Sequence, residues 1–347
     1  MAWHQNQSNQ SAFRRCLLAI IAAVVLAIAL LPLHAGDAKP YEAIDQHALK
    51  ATPDDESSVA SLAAYLTVPC KTDKEKARAI FRWIADRVRY DADAFFAGKP
   101  SDTVPEAVLK SRKAVCTGYA NLFASLSAAM ALKAAQVPGY AKGSGYVPGQ
   151  KFTQANHAWM AVHFDDKWWL IDPTWGAGSL NGKDFVKRFS EFYFRADPEK
   201  LIFTHFPKDA KWQLLDPPIT MAQFEREPKV DFGLWQLGLT VAAVRAEMAK
   251  PGFNGLVKVY DGTYVPKTKL VAMPISKSLK AGEKYAFEFK SDDYAEIVVL
   301  MASKQYAFKK SGDDFQLTLQ VQKGNVFIGG RPKTAKQFTA MFEYVVE

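Results

Sequence analysis

At 347 residues, with 49% hydrophobic and 23% charged side chains, the chain exceeds one average domain and carries ample apolar material for packed cores, which excludes a disordered polymer. The formal charge of +8 comes with no arginine cluster and no recognised nucleic-acid motif, so it predicts a solvated basic surface and no nucleic-acid partner. Three cysteines in a chain of this length make no disulfide framework.

In chain order, Arg14 and Arg15 precede the apolar run CLLAIIAAVVLAIALLPL, and His34-Ala35-Gly36 follows it. A basic start, a short apolar stretch and a small residue describe an export signal over residues 1–35, which predicts an extracytoplasmic protein, periplasmic or secreted. The alternative is an uncleaved N-terminal anchor, the one arrangement that would make the membrane a partner. Loss of the signal leaves Cys70 and Cys116, either bridged to each other or with at least one thiol free. Residues 36–70 form a leader, with a helix expected around Val59–Leu66.

From Lys74, EKARAIFRWIADRVRY puts Ala77, Ile80, Phe81, Ile84 and Val88 at helical spacing. A shorter helix is expected over Val104–Lys110. Cys116 then opens CTGYANLFASLSAAMALKAA, a helix with Leu122, Leu126, Met130 and Leu132 on its apolar side, expected to stop before Pro138-Gly139. Beyond it the pattern changes to strands: GYAKGSGYV, then HAWMAVHF and WWLID joined by a turn at Asp165-Asp166, with PTWGAGS as a loop. Pro217-Pro218 marks a boundary and sets a core at residues 71–216 and a second domain at 217–347. The short alternating runs of the second, from GLVKVY and YAFEFK to FTAMFEYVV, predict an antiparallel sandwich. The fold class is therefore α+β, followed by an all-β, sandwich-like domain.

A cysteine in the first turn of a long helix meets unsatisfied backbone N–H groups and the positive end of the helix dipole, both of which favour the thiolate. With a two-residue turn at Asp165-Asp166, Asp172 faces Trp159 across the hairpin, and His157 lies on the same face one diagonal step away. A one-residue slip would put the two on opposite faces. An imidazole beside a carboxylate, with a cysteine upstream, is the base-and-orienter set of cysteine nucleophilic catalysis. No cofactor and no metal are expected. The glycines of AKGSGYVPG lack the lysine–serine/threonine pair of a phosphate loop, and His163 with Asp165 and Asp166 lacks a recognised ligand spacing.

The blocks RWIADRVRYDADAF, AVCTGYANLF and NHAWMAVHFDDKWWLIDPTWGAG resemble the transglutaminase-like superfamily. The segment YFRADPEKLIFTHFPKDAKWQLL is similar to the kyphoscoliosis-peptidase branch of that superfamily. The resemblance implies a papain-like core, with Cys116 as nucleophile, His157 as base and Asp172 as orienting acid. Met160 stands where the superfamily often has asparagine. An oxyanion donor from upstream of the cysteine is also implied, and Tyr90 is the candidate. Trp159 and Trp175 are candidates for an apolar substrate groove. The implied chemistry is acyl transfer from a protein or peptide amide through a thioester, either to water (peptidase or amidase) or to an amine (cross-linking). Cell-envelope protein or peptide is the expected substrate. A different class, a non-catalytic extracytoplasmic scaffold or binding module, is the competing expectation. A cleft plugged by residues 36–70, or a Cys70–Cys116 disulfide, would point to binding, a latent form or redox control.

Overall fold

A computed structural model describes residues 41–99, 101–260 and 267–347. The expected signal or anchor at residues 1–35 lies outside the described residues. Among the described residues no helix is long and apolar enough to cross a membrane.

Helices come first. α1 spans Glu42–Leu49 and α2 Val59–Thr67, the latter started by Ser58, whose hydroxyl accepts from the Ser61 N–H. α3, Asp73–Arg87, begins with a reciprocal capping box between Thr72 and Glu75. It buries Ala77, Ile80, Phe81 and Ile84, the stripe that the spacing predicts. α2 buries Leu62 and Leu66, so this part of the expected leader belongs to the packed core. Arg78 of α3 is almost wholly buried. It bridges Asp45 of α1 at 2.6 Å and Glu191 at 2.6 Å, satisfying a guanidinium that would otherwise be costly to bury.

β1 (Arg89–Tyr90) and β2 (Lys113–Ala114) pair in parallel, with α4 (Ala92–Ala97) and α5 (Pro105–Ser111) between them. This small bridge delivers the chain into α6, Cys116–Ala129. Gly118 is required at that entry: a Cβ there would lie 2.7 Å from the Ala114 Cβ and 3.1 Å from a Val108 methyl. α6 stops earlier than its apolar pattern predicts. The Leu132 N–H donates to the Ser127 carbonyl at 2.8 Å and the Ala131 N–H to the Ala128 carbonyl at 3.1 Å, a Schellman closure with Ala131 at φ 53°. The following residues form a strand instead.

That strand, β3 (Ala134–Ala141), sits between β4 (His157–Phe164) and β8 (His205–Pro207), and β5 (Lys167–Ile171) pairs on the far side of β4. All three pairings are antiparallel, and α6 packs on β3 and β4. Between β5 and β8 come α7 (Pro173–Ala177), the hairpin β6 (Gly178–Asn181) and β7 (Asp184–Lys187), and α8 (Pro198–Leu201). PTWGAGS, expected as a loop, is thus helical over its first five residues because Asp172 caps it.

Past Pro217-Pro218 the chain is first helical, not strand-forming: α9 (Met221–Arg226), α10 (Phe232–Gln236) and α11 (Val241–Met248) precede the sheets. Two sheets follow. One has the order β10 (Thr268–Ala272), β12 (Lys284–Ser291), β16 (Asp314–Gln320), β15 (Lys309–Ser311). The other has the order β11 (Ser278–Leu279), β18 (Thr339–Val346), β17 (Gly324–Pro332), β13 (Tyr294–Met301), β14 (Lys304–Ala307), and β9 (Lys258–Val259) also pairs with β18. Their inner faces meet through ring pairs, Phe287 with Tyr344 at 6.0 Å and Phe289 with Phe342 at 5.9 Å. The apolar cluster beneath them is continuous with Phe203, Phe206 and Phe224, so the expected boundary at residue 217 is not a break in packing.

Candidate active site

The hairpin of β4 and β5 has the register that the two-residue turn predicts. Asp165 and Asp166 take φ of 50° and 57°, the two left-handed residues of a type I′ turn; Phe164 pairs with Lys167 beside them, and Met160 with Ile171 at the far end of the ladder. Continued by one residue, that register puts Asp172 across from Trp159 and diagonal to His157. Asn156 prepares the start of β4: its side-chain amide accepts from the Ala141 N–H at 2.7 Å and donates to the Ala141 carbonyl at 3.0 Å. His157 therefore starts its strand from a fixed backbone.

The His157 Nε2–H donates to Asp172 Oδ2 at 2.8 Å, which leaves Nδ1 to face the sulfur of Cys116. Asp172 is fully buried, and four donors compensate that burial. Its Oδ1 accepts from the Thr174 and Trp175 backbone N–H groups at 2.8 and 3.0 Å, as the N-cap of α7. Its Oδ2 accepts from His157 and, at 3.0 Å, from His205 Nε2–H. Burial alone would raise the carboxyl pKa; the charge of His157 and these hydrogen bonds more than reverse that, so Asp172 stays ionised far into the acid range.

The same balance sets the other two groups. Burial opposes protonation of His157, yet the Asp172 charge and hydrogen bond, with contributions from Cys116, raise its pKa to about 10. Burial pushes the Cys116 thiol up, but hydrogen bonding and charge from His157, with the Ala158 backbone N–H, carry it below its ordinary value. Cys116 is the first residue of α6, and its N-cap, Val115, offers no side-chain acceptor. The first-turn N–H groups and the dipole thus face the sulfur without a competing cap. Both shifts favour the thiolate–imidazolium form of the pair over the neutral one.

Tyr90 comes to this centre as well. Its phenol is raised, first by burial and then by the negative charges of Cys116 and Asp172, which keeps it a protonated donor. The two tryptophan candidates divide. Trp175 stands 5.7 Å from the His157 ring and lines a cavity of about 350 Å³ with Tyr90, Phe185, Tyr193 and His157. Trp159 does not: it is 1% exposed, stacked beside His157 at 5.9 Å and packed over Gly139, which makes it core and not groove. None of residues 41–70 lines the cavity. Cys70 and Cys116 are both free thiols, so the considered disulfide is absent among the described residues. Burial pushes Cys70 up to about 11. Asp165 pairs with Lys74 at 3.4 Å, and His163 packs on Trp168.

His205 is the residue that sequence reasoning missed. Its only signal was a polar ring in the apolar stretch IFTHFP, on a three-residue strand too short to show a period. His157, Asp172 and His205 bring three possible metal ligands within 4.8 Å of one another. The 2.8 and 3.0 Å separations are hydrogen-bond distances, so carboxylate–imidazole contacts account for the cluster.

A family model for the transglutaminase-like superfamily matches residues 60–173. Kyphoscoliosis peptidase of Mus musculus and that of Homo sapiens are each 36% identical over 192 residues, 54% of this chain and 29% of theirs. Hillarin of Drosophila melanogaster is 32% identical over 216 residues, 58% of this chain and 26% of its own. The chain thus spans under a third of the length of these relatives. Cys116, His157 and Asp172 all fall within the family match, and over residues 60–173 the chain carries a transglutaminase-like domain.

Proposed function

We propose that the protein is a cysteine-dependent acyltransferase acting on protein or peptide amides, with water as its principal acceptor. One observation carries this reading: buried His157 is held on ionised Asp172 at 2.8 Å while its other face meets the Cys116 sulfur. The thiolate attacks the amide carbonyl carbon, and the charge that develops on oxygen is met by the Cys116 backbone N–H and the Tyr90 hydroxyl. Collapse breaks the C–N bond as His157 gives its proton to the leaving amine, and a thioester remains on Cys116. Water then enters, His157 takes its proton, and the carboxylic acid departs with the thiolate restored. An amine in place of water would give cross-linking. The relatives named peptidase support hydrolysis as the principal outcome. The basic and apolar pattern of residues 1–35 supports an extracytoplasmic setting, so cell-envelope proteins and peptides are the proposed substrates.

The test is a mass-spectrometric screen of peptides and unfolded proteins with the wild type and Cys116→Ala, each with and without an added primary amine. New termini that need Cys116 and form without amine are expected. Amine-linked products alone would replace hydrolysis with amine transfer. Identical products from both proteins would overturn the enzyme reading in favour of a binding module.

A further inference from the structure

The hydrogen bonding of Asp172 exceeds what a three-residue site needs. Its Oδ2 takes a second imidazole, His205, from β8 at the opposite edge of the sheet from β5. The His205 side chain is fully buried, and its Nδ1 lies 2.8 Å from the Thr204 hydroxyl. An ionised carboxylate only accepts, so His205 Nε2 must carry the proton. The Thr204 hydroxyl has one proton and two acceptors in reach, His205 Nδ1 at 2.8 Å and the Leu201 carbonyl at 3.1 Å; given to Nδ1, it leaves the ring neutral. Burial keeps it so, lowering the ring pKa against the opposing pull of Asp172. The titratable groups around it are Asp172, His157 at a ring distance of 5.2 Å and Tyr193 at 6.3 Å. Trp159 and Trp175 complete the enclosure at 5.1 and 4.5 Å.

We infer that His205 is a positioning residue of this site, a neutral donor whose tautomer is set by Thr204 and which fixes Asp172 Oδ2 toward His157. The inference rests on the proposed cysteine chemistry. Two backbone N–H groups hold Oδ1 and two rings hold Oδ2, so the carboxylate cannot rotate. Without the His205 donor, buried Asp172 is less well supported as an anion and takes up a proton at higher pH. Once it does, His157 loses its counter-charge and Cys116 loses its imidazolium.

The competing role is packing, since His205 sits among aromatic rings. Two substitutions separate the roles. His205→Phe keeps a ring and removes the donor; His205→Gln removes the ring and keeps an N–H of similar reach. The readout is the rate of Cys116 alkylation by iodoacetamide against pH, which needs no substrate. The positioning role predicts that the acid edge of reactivity moves up by about one pH unit in His205→Phe and stays near wild type in His205→Gln. Thr204→Val, which frees the tautomer, should move the edge the same way by less. The opposite order, with Phe silent and Gln impaired, would overturn the inference in favour of packing. The wild-type profile separately judges the reading on which it rests, because no low-pH reactivity at all would sink that reading. Should His205→Phe fail to fold, nitrogen NMR of the wild-type ring decides. A neutral Nε2–H form from pH 5 to 8 supports the inference, and an Nδ1–H or doubly protonated ring overturns it.

Discussion

Tyr90 and Cys70 show how surroundings, not residue type, assign chemistry. Tyr90 is kept protonated by burial and by the charges of Cys116 and Asp172, so it lines the cavity as a donor, which the proposed chemistry would use on the reacting carbonyl. Tyr90→Phe should lower kcat by about 10²-fold with KM little changed, measured on a peptide from the substrate screen. A fall confined to KM would make Tyr90 a wall of the cavity instead. The two thiols should part company in the same way. At pH 7 and limiting iodoacetamide, Cys116 is expected to label while Cys70, pushed up to about 11, does not. Equal labelling of both would contradict the electrostatic account. At this scale the sequence was informative where residue type and spacing acted together, as with His157 and Asp172. It was silent on His205, whose role depends on β8 crossing to β3, a pairing that no local pattern encodes. It misplaced Trp159 because exposure of a ring on a strand depends on what covers that face.

Among the elements, the β4–β5 hairpin was the most legible, because a two-residue turn leaves a single register and parity does the rest. The end of α6 was the least legible. An alanine, not a glycine, takes the left-handed closing position, so composition gave no stop signal. Ala131→Gly should therefore raise stability by about 0.5 kcal/mol in urea unfolding, relief of the left-handed strain being partly offset by the flexibility of glycine in the unfolded chain. Because Ala131 is exposed and lies beyond the opposite end of α6 from Cys116, the alkylation profile should not move. At the other end, Gly118→Ala should cost about 1–3 kcal/mol, since the new methyl meets Ala114 and Val108 and must displace the start of the helix. Its Cys116 should also react more slowly at low pH. An unchanged rate would show that the helix start tolerates the shift without losing the sulfur's environment.

For the whole molecule, the sequence was legible in outline, an α+β core and a β-sandwich, but not in how the two share their interior. Buried Lys142, just past β3 and with its pKa lowered by burial to about 8, donates to the Phe224 and Glu227 carbonyls at 2.6 Å each. Phe203 and Phe206, on the core side of residue 217, belong to the same apolar cluster as the sandwich. A chain ending at residue 216 would leave Lys142 unpartnered and this cluster open. It should lose cooperative unfolding in urea and bind a hydrophobic dye, whereas a sharp transition for the fragment would show that the core stands alone.

In the proposed chemistry His157, held on Asp172, lowers the thiol pKa of Cys116 and favours its thiolate. The most direct test is Cys116 alkylation against pH in the wild type and in His157→Ala. The thiol pKa is depressed while His157 remains protonated to about pH 10, so reactivity should persist well below pH 7 in the wild type. In the variant the imidazolium is gone, burial is no longer opposed by it, and reaction should begin only above about pH 8. Two coincident profiles would contradict the account.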